Sequence, residues 1–395
     1  MPTGRAFWFW ITSVMFYFFA NQTQIGWLYV VSALVFSVLL AAWWLNQRTL
    51  HYLHVTRQIE VRETYHEDDT LTISLNVHNS RRSASAFVML HESCPLVPPQ
   101  ASERDLRLLF TSLPPGQTCT CYTITLNRRG LHTFPPLQLS CSAPFGLFKR
   151  NVIYGSANSL LIYPLVRPLT RYSLLDRQLA GAWTSGRSGT SSEIVGVRDY
   201  RPGDSLRHLH WRSIARRSQL ISKEFADDSQ HSLTLVLDSF CPVTLDDPKH
   251  NPFEWLVKAA ASIGDYALCK RWPVSLLLPG SDIAPPASPL LWDSLLQILA
   301  RVQPTDRQLL GDVLARQVLY GAVAVLCAWL TPSGIDQLLS LVRRGVRLQV
   351  IWADPSSFAG LGAGPEQGLI EALRSSEVDV VRLTYGQDWA EALAR

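Results

Sequence analysis

The feature that most constrains this chain is a pair of uncharged apolar runs near its amino-terminal end. Residues 6–20 (AFWFWITSVMFYFFA) and 25–45 (IGWLYVVSALVFSVLLAAWWL) are separated by the four residues NQTQ. At about 1.5 Å per helical residue, the second run matches a hydrocarbon core of about 30 Å, and the first can span one with help from its flanks. The short connector permits only a tight hairpin. We therefore expect residues 1–50 to form two transmembrane helices.

The flanks of these runs predict their orientation. Arg5 and Arg48 lie outside the outer ends, and cytoplasmic flanks are enriched in arginine, so both termini are expected in the cytoplasm. A cleavable signal peptide is the alternative for the first run, but Phe18 and Phe19 stand where small residues precede a cleavage site. The expected location is the inner (plasma) membrane, as a multi-pass protein.

The cysteines favour the same side of the membrane. Seven cysteines form neither a CxxC pair nor a paired framework, which is typical of a reducing compartment. Cys119 and Cys121 can share one face of a strand. With no histidine or cysteine partner at ligand spacing, they are interpreted as packed thiols rather than as a zinc site.

Residues 51–165 change to short runs of alternating polarity broken by Pro, Gly and Asn, which predicts antiparallel strands in a small β-sandwich. Within this region, Arg128-Arg129-Gly130 precedes a strand, and residues 144–148 (PFGLF) follow one. We interpret these two segments as a β-turn and a hydrophobic plug at the end of the sandwich. The predicted strands are IEVRETY, TLTISLNVHN, AFVMLHES, TCTCYTITLN, LQLSCS and SLLIYP.

Residues 231–395 alternate apolar β-rich runs with amphipathic helical ones. Near-continuous apolar strands between helices predict a parallel sheet covered on both faces, a doubly wound α/β domain. Helix starts are predicted at Asn251-Pro252, Ser288-Pro289, Thr305 with Gln308, and Thr331-Pro332, and Gly345 is predicted to end a helix in the left-handed conformation. The predicted strands are SLTLVLD, VSLLLP, AVAVLCA, VRLQVIW and VDVVRLT.

Two aspartates follow predicted strands of this domain. Ligands of doubly wound sheets bind beyond the carboxyl ends of the strands, where Asp238 and Asp354 are placed. A divalent cation needs several oxygen ligands, and the loop after Asp238 offers one hydroxyl, on Ser239. Both aspartates are therefore weak metal candidates, and a turn or capping role is favoured for Asp238. No cofactor is predicted.

Residues 166–230 contain the least ordinary stretch of the chain, GVRDYRPGDSLRHLHWRSIARRSQLISKEF (196–225). Its Pro-Gly pair predicts a turn and Asp204 a cap for a short helix over 205–216, on which Trp211 is expected to anchor against the sheet. LISKEF alternates like a strand. An internal ion-pair clasp and a partner-binding surface both remain open for the candidate residues Arg198, Tyr200, Gly203, Asp204, Arg207, Trp211, Arg212 and Arg216.

This stretch resembles the hallmark of the bacterial family called domain of unknown function 58, and the upstream segments 128–130 and 144–148 also fit. The resemblance implies two membrane helices, a β-rich segment, a von Willebrand factor type A-like domain and association with MoxR-type AAA+ ATPases. Two departures stand out: Phe240 and Pro242 replace serines of the type A metal loop, and His210 replaces an acid. The matching residues are Gly196, Arg198, Tyr200, Pro202, Gly203, Asp204, Arg207, Leu209, Trp211, Ala215 and Arg216.

The expected function is a membrane-anchored, non-enzymatic adaptor that docks a cytoplasmic partner, for which the resemblance implies a MoxR-type AAA+ ATPase. No nucleophile with a base and no cluster of carboxylates is recognisable, and GRSGTSSE (186–193) lacks the lysine of a nucleotide P-loop. The alternative is a nucleic-acid-binding or phosphate-binding membrane protein that uses the Arg-rich motif. Nucleic acid is not the expected partner, because acidic residues interrupt the motif and the net charge is only +4.

Overall fold

A computed structural model gives the architecture of the chain as two compact units, Met1–Ile162 and Tyr163–Arg395. The sequence placed the corresponding boundary a few residues later, after residue 165, and the helical hairpin belongs to the same unit as the β-rich region. The structure describes residues 2–97, 104–142, 145–182, 194–199, 210–211, 220–225, 232–242, 251–280, 289–307, 309–358, 366–376 and 378–394.

The first unit begins with a helical hairpin of α1 (Gly4–Thr23) and α2 (Gly26–Thr49). Among the described helices, α2 alone is long and apolar enough to cross a membrane. The sequence predicted two transmembrane helices, and by length and composition the structure supports one of them, α2.

The two helices of the hairpin meet along small and polar residues. Ser13 and Ser32 join them by reciprocal hydrogen bonds, each hydroxyl donating to the other residue's carbonyl at 3.1 and 2.9 Å. Buried positions spaced by seven residues occur along each helix. They are Ala6, Ser13 and Ala20 on α1, and Ser32, Leu39 and Asn46 on α2, where Ala42 is buried as well.

The remainder of the first unit is built from antiparallel strands. A three-stranded sheet has the order β1-β2-β5, a four-stranded sheet has the order β4-β3-β7-β8, and β6 pairs with β9. One apolar core joins them, with Ile73 and Leu75 from the first sheet and Leu90 and Leu139 from the second. The strands are β1 (Leu53–Ile59), β2 (Thr70–Asn79), β3 (Ser85–Ser93), β4 (Asp105–Leu113), β5 (Gly116–Thr125), β6 (Gly130–Phe134), β7 (Leu137–Cys141), β8 (Arg150–Tyr154) and β9 (Asn158–Ile162).

The predicted strands of this region are confirmed except for IEVRETY (59–65). The observed β1 ends at Ile59, where that run begins, and Val61 is 95 % exposed. The sequence analysis also missed β4, β6 and β8, and the polarity of β4 alternates only over its first four residues.

The second unit contains a five-stranded sheet in the order β13-β12-β14-β15-β16, and every adjacent pair is parallel. The elements are α3 (Ser173–Ala182), β10 (Ile194–Asp199), β11 (Ile221–Phe225), β12 (Leu233–Leu237), α4 (Pro252–Cys269), β13 (Val274–Leu277), α5 (Trp292–Arg301), α6 (Leu310–Arg316), β14 (Ala322–Cys327), α7 (Pro332–Arg343), β15 (Arg347–Ala353), a 3-10 turn (Pro355–Ser357), α8 (Glu366–Ser375), β16 (Asp379–Leu383) and α9 (Trp389–Ala394).

Helices cover both faces of this sheet, as the alternation of its buried residues requires. Leu235 and Ala324 face the core that includes α4 and α5. Val236 and Val325 face the opposite core, which includes α6, α7 and α8. The predicted mixed α/β unit with a parallel sheet is confirmed.

Two of the predicted helix starts are confirmed by their caps. The Asn251 side chain accepts from the Phe253 amide at 2.9 Å, and Thr331 Oγ1 accepts from the Gly334 amide at 3.1 Å. Gly345 follows α7 with φ +84°, as predicted.

The other two predicted starts are wrong. The helix expected from Ser288-Pro289 begins only at Trp292. The helix expected from Thr305 begins at Leu310, because Thr305 is held by strand-like hydrogen bonds to Ser239 and Cys241 instead.

Candidate functional site

The carboxyl edge of the parallel sheet is the place where its fold positions a ligand. The chain runs from β12 outward to β13 and then returns to the other side of β12 to form β14, so the strand order reverses between β12 and β14. Doubly wound sheets bind ligands in the crevice at this point. Asp238 follows β12 directly, and its amide donates to the Leu326 carbonyl of β14 at 2.9 Å. The predicted position of Asp238 is therefore confirmed.

The Asp238 carboxyl is held in an environment that disfavours its charge. It is 2 % exposed, Oδ1 accepts from the Phe240 amide at 3.2 Å, and Oδ2 has no hydrogen-bond partner among the described residues. Burial raises the pKa of this carboxyl to about 7, and the single bond from Phe240 opposes the shift only in part. The protonated form of Asp238 is therefore favoured to a higher pH than that of an exposed aspartate.

The groups around Asp238 are buried as well. Ser239 lies fully inside with its hydroxyl donating to the Pro279 carbonyl, and burial raises the pKa of the Cys327 thiol, with the Asp238 charge adding to that shift. In the loop after Asp238, the ring of Phe240 meets the ring of Trp329 edge to face, with centroids 6.1 Å apart. In this conformation, neither the carboxyl, the hydroxyl nor the thiol reaches solvent.

This geometry does not fit the metal site that type A-like domains imply. Phe240 and Pro242 supply no oxygen at the offsets where serines are needed, and the Ser239 hydroxyl is used by Pro279. Among the described ranges, no three His, Cys, Asp or Glu side chains cluster at metal-binding distance. The turn role that the sequence favoured for Asp238 agrees with its bond to the Phe240 amide.

Both carboxylate oxygens of Asp354, the other weak metal candidate, make contacts within the protein. Its Oδ1 caps the 3-10 turn, accepting from the Ser356 amide at 3.0 Å and hydroxyl at 2.7 Å, and Oδ2 pairs with the Arg382 guanidinium. Burial alone raises the pKa of this carboxyl, but the bonds from Ser356 and the charge of Arg382 outweigh it and lower the pKa overall. Asp354 therefore stabilises the edge of the sheet as an anion.

The Arg-rich motif is reached from a two-stranded antiparallel ribbon of β10 and β11. Arg198 lies on β10 opposite Ser222, and LISKEF forms β11 as predicted. Trp211 is helical and 66 % exposed, so the prediction that it anchors the motif against the sheet is wrong. Tyr200, Gly203, Asp204, Arg207, Arg212 and Arg216 lie outside the described residues, as does most of the helix predicted over 205–216.

The upstream PFGLF segment has a role that the sequence analysis missed. Thr3 Oγ1, at the start of α1, donates to the Leu147 carbonyl at 2.8 Å. Asn46, near the end of α2, donates through Nδ2 to the carbonyls of Cys141 and Phe148 at 3.0 and 2.9 Å. The predicted plug therefore connects the start of α1 and the end of α2 to the β-sandwich through hydrogen bonds. Its buried Leu147 packs with Ala6, Leu39 and Ala42.

The other upstream segment surrounds a buried arginine. The Arg129 amide donates to Glu67 Oε1 at 3.1 Å, and Gly130 takes φ +124° where β6 begins. Burial lowers the pKa of the Arg129 guanidinium to about 10, and the Glu67 charge opposes the shift. Arg129 therefore remains charged at neutral pH and belongs to the interior of the first unit.

Cys119 and Cys121 share one face of β5, as predicted, but they are not packed thiols. Both are exposed, and their sulfur atoms lie 3.6 Å apart. The interpretation as packed thiols is wrong because β5 presents this face to the outside and its other face to the core.

Comparison with known proteins finds similarity between part of the second unit and proteins of unknown function. Residues 196–355 match the family described as "Protein of unknown function DUF58", which confirms the predicted resemblance over these residues. The chain is 30% identical over 161 residues to "Uncharacterized protein YeaD" of Bacillus subtilis (strain 168). That match covers 40% of this chain and 38% of the relative, so the chain spans about two fifths of the curated protein it matches.

Likenesses to solved structures are weak. The CARDB domain of PF1109 from Pyrococcus furiosus, in complex with di-metal ions, has a TM-score of 0.19 and 7% identity, covering 29% of this chain and 96% of that domain. PapD-like domain 7 of human CEP192 has a TM-score of 0.18 and 15% identity, covering 28% of this chain and 86% of that domain. Similarity at this level indicates nothing about the activity of this chain.

Proposed function

We propose that this chain, whose residues 196–355 match the DUF58 family, is a membrane-anchored, non-enzymatic adaptor that docks a cytoplasmic protein through its α/β unit. The observation that carries the proposal is the exposure of Trp211 within the Arg-rich motif. Tryptophan and arginine are among the residues most enriched at the energetic centres of protein interfaces, and here an exposed tryptophan is followed by arginines in the sequence.

The anchor is proposed to be the whole hairpin rather than α2 alone. The residues buried between α1 and α2 are mostly small or polar, whereas the large apolar side chains point outward, among them Trp8, Phe18, Trp27 and Trp43. This arrangement is the reverse of a water-soluble helix pair and suits a surrounding of lipid. The Ser13–Ser32 hydrogen bonds satisfy the polar groups of the helix contact inside the membrane.

The proposed topology follows from that hairpin. A two-helix anchor returns the chain to the side from which it started, and Arg5 and Arg48 favour the cytoplasm for both ends. Residues 46–395 would then face the cytoplasm from the inner membrane, where a docking unit meets soluble partners. The cysteines of the described residues form no disulfide bonds with one another, which suits that compartment.

The docking surface is proposed to combine Trp211 with the arginines next to it in sequence, Arg212 and Arg216. Arginine pairs bidentately with carboxylates and stacks on aromatic rings, so arginines near an exposed tryptophan in the sequence suit an acidic surface on a partner. The partner that the family resemblance implies is a MoxR-type AAA+ ATPase. The adaptor would bind this ATPase at the membrane during the assembly or maturation of protein complexes.

A crosslinked pull-down from native membranes tests the proposal. Three forms of the full chain are compared with wild type: Trp211→Ala, the double variant Arg212→Glu with Arg216→Glu, and the control Tyr320→Ala. Tyr320 is also a strongly exposed aromatic of the second unit, and it lies outside the motif. The proposal predicts that one cytoplasmic protein is recovered with wild type and with the control but is lost with both motif variants.

Two other results would contradict docking. Equal recovery from all four forms would remove the motif from the interface. Recovery of RNA or DNA instead of protein, with a yield that falls steeply as salt rises, would favour the nucleic-acid alternative.

A further inference from the structure

A groove of about 970 Å³ lies where the end of α2 meets the outer face of the four-stranded sheet. Leu45 and Thr49 line it from α2, and Met89 and Leu109 line it from the adjacent strands β3 and β4, on which they are directly paired. These strand residues alternate with Val88 and Leu90, which face the core, so the groove is on the side of the sheet away from the core.

Two phenylalanines at this groove are presented outward in an unfavourable backbone conformation. Phe87 and Phe145 line the groove, are 55 % and 72 % exposed, and have φ of +53° and +61°. Residues with a Cβ rarely adopt positive φ, and such strain persists mainly where function requires it. Two exposed aromatic rings beside a transmembrane helix suit an environment less polar than water.

The rim of the groove is basic. Arg81, Arg107 and Lys149 contribute to its lining together with His91. The pKa of His91 is lowered first by burial and then by the positive charges of Arg107 and Lys149, while Asp105 acts in the opposite direction. The groove is lined by three cationic side chains and, among its described lining residues, by no carboxylate, which favours an anionic occupant.

The position of the groove along α2 points to the source of that anion. Leu45 and Thr49 lie within about one helical turn of Trp44 and Arg48, and the Arg48 guanidinium stacks on the Trp44 ring at 4.3 Å from its centroid. Tryptophan and arginine at the end of a membrane helix mark the level of the lipid headgroups. A groove at that level faces phosphate groups of the same leaflet.

We propose that this groove binds the phosphate headgroup of an anionic phospholipid, with Arg107 and Lys149 contacting the phosphate and Phe87 and Phe145 inserted among the acyl chains. The proposal rests on the membrane anchorage proposed above and is independent of partner docking. It assigns the β-sandwich a role: lipid contact would fix the orientation of the first unit on the membrane surface.

Native mass spectrometry of the full chain in mild detergent tests this site. Wild type is titrated with phosphatidylglycerol and, separately, with phosphatidylcholine. The groove variant Arg107→Gln with Lys149→Gln is compared with the control Arg343→Gln with Arg344→Gln, which removes the same charge from exposed positions of the second unit. Each basic residue near an anionic lipid contributes roughly fivefold in affinity, so the groove variant should lose about 30-fold for phosphatidylglycerol, and the control should lose none.

A second variant and a soluble competitor make the test decisive. Phe145→Ser changes an exposed side chain and should weaken phosphatidylglycerol retention without affecting secondary structure. Equal retention of the two lipids, an unaffected groove variant, or displacement of lipid by equimolar glycerol 3-phosphate would overturn the proposal. Extraction of membranes with carbonate is carried out in parallel. Release of the wild-type protein from the membrane would refute the anchor itself. Retention of all variants in the membrane, together with unselective lipid binding, would refute only the groove.

Discussion

The stability of the second unit after replacement of Asp238 by asparagine is expected to rise relative to wild type as the pH increases. The carboxyl is buried, one oxygen lacks a partner among the described residues, and its pKa is raised to about 7. An unfolded aspartate titrates near pH 3.9, so the folded state retains the proton to higher pH than the unfolded state does. Stability attributable to Asp238 is therefore complete below about pH 4 and is lost as the pH rises through about 7.

The size of the effect follows from the shift. A difference of about three pKa units corresponds to roughly 4 kcal/mol of unfolding free energy once the pH is above 7, and to about 1 to 2 kcal/mol at pH 5. Asparagine has the same shape, keeps an oxygen for the Phe240 amide, and carries no charge at any pH. The asparagine amide places unpaired N–H donors where Oδ2 was, at a cost that does not depend on pH. The free energy of unfolding of Asp238→Asn relative to wild type should therefore rise by roughly 2 to 3 kcal/mol between pH 5 and pH 8.5.

Urea unfolding of the full chain in mild detergent, followed by far-UV circular dichroism at pH 5 and pH 8.5, measures the difference. A difference between Asp238→Asn and wild type that does not rise between the two pH values would refute the reasoning, because it would mean that burial does not raise the pKa of this carboxyl. Magnesium is added in a parallel series. If it restored the alkaline stability of wild type but not of the variant, Asp238 would be a metal ligand, contrary to the geometry of its loop.

Three further results are expected. Asp354→Asn should destabilise by about 1 to 2 kcal/mol at neutral pH through loss of the charged bonds to Ser356 and Arg382, and the loss should shrink in acid because the folded pKa is lowered; a pH-independent loss would contradict this. Gly280→Ala should lower the melting temperature more than Gly345→Ala. Both glycines have positive φ, but a Cβ at Gly280 would lie 2.8 Å from a backbone oxygen, whereas Gly345 has open space; equal melting temperatures would refute the clash. A membrane-impermeant maleimide should label the exposed Cys269 only after cells are permeabilised, and labelling of intact cells would overturn the proposed topology.

The parallel sheet was predictable because local and tertiary signals agree there. The runs SLTLVLD and AVAVLCA are apolar on both faces, and helices cover both faces of β12 and β14. The caps at Asn251 and Thr331 are likewise local, since each side chain bonds an amide two or three residues away.

Contacts that depend on distant residues were not predictable. Thr305 has the sequence of a helix cap, but its backbone forms hydrogen bonds with residues 239 and 241. No local sequence pattern indicates this pairing. The same holds for Asn46, a polar residue at the end of an apolar run that bonds carbonyls about 100 residues away. A large residue such as Trp211 is more often buried than not, and composition alone does not separate an anchor from an exposed contact residue.

The most direct test of the docking account places a photo-crosslinking amino acid at position 211 of the full chain in its native membrane. Position 320, another exposed aromatic of the second unit, serves as the matched control. The account predicts a covalent adduct between position 211 and one cytoplasmic protein, identified by mass spectrometry, and no such adduct from position 320. An adduct with nucleic acid, no adduct from position 211, or the same adducts from both positions would contradict it.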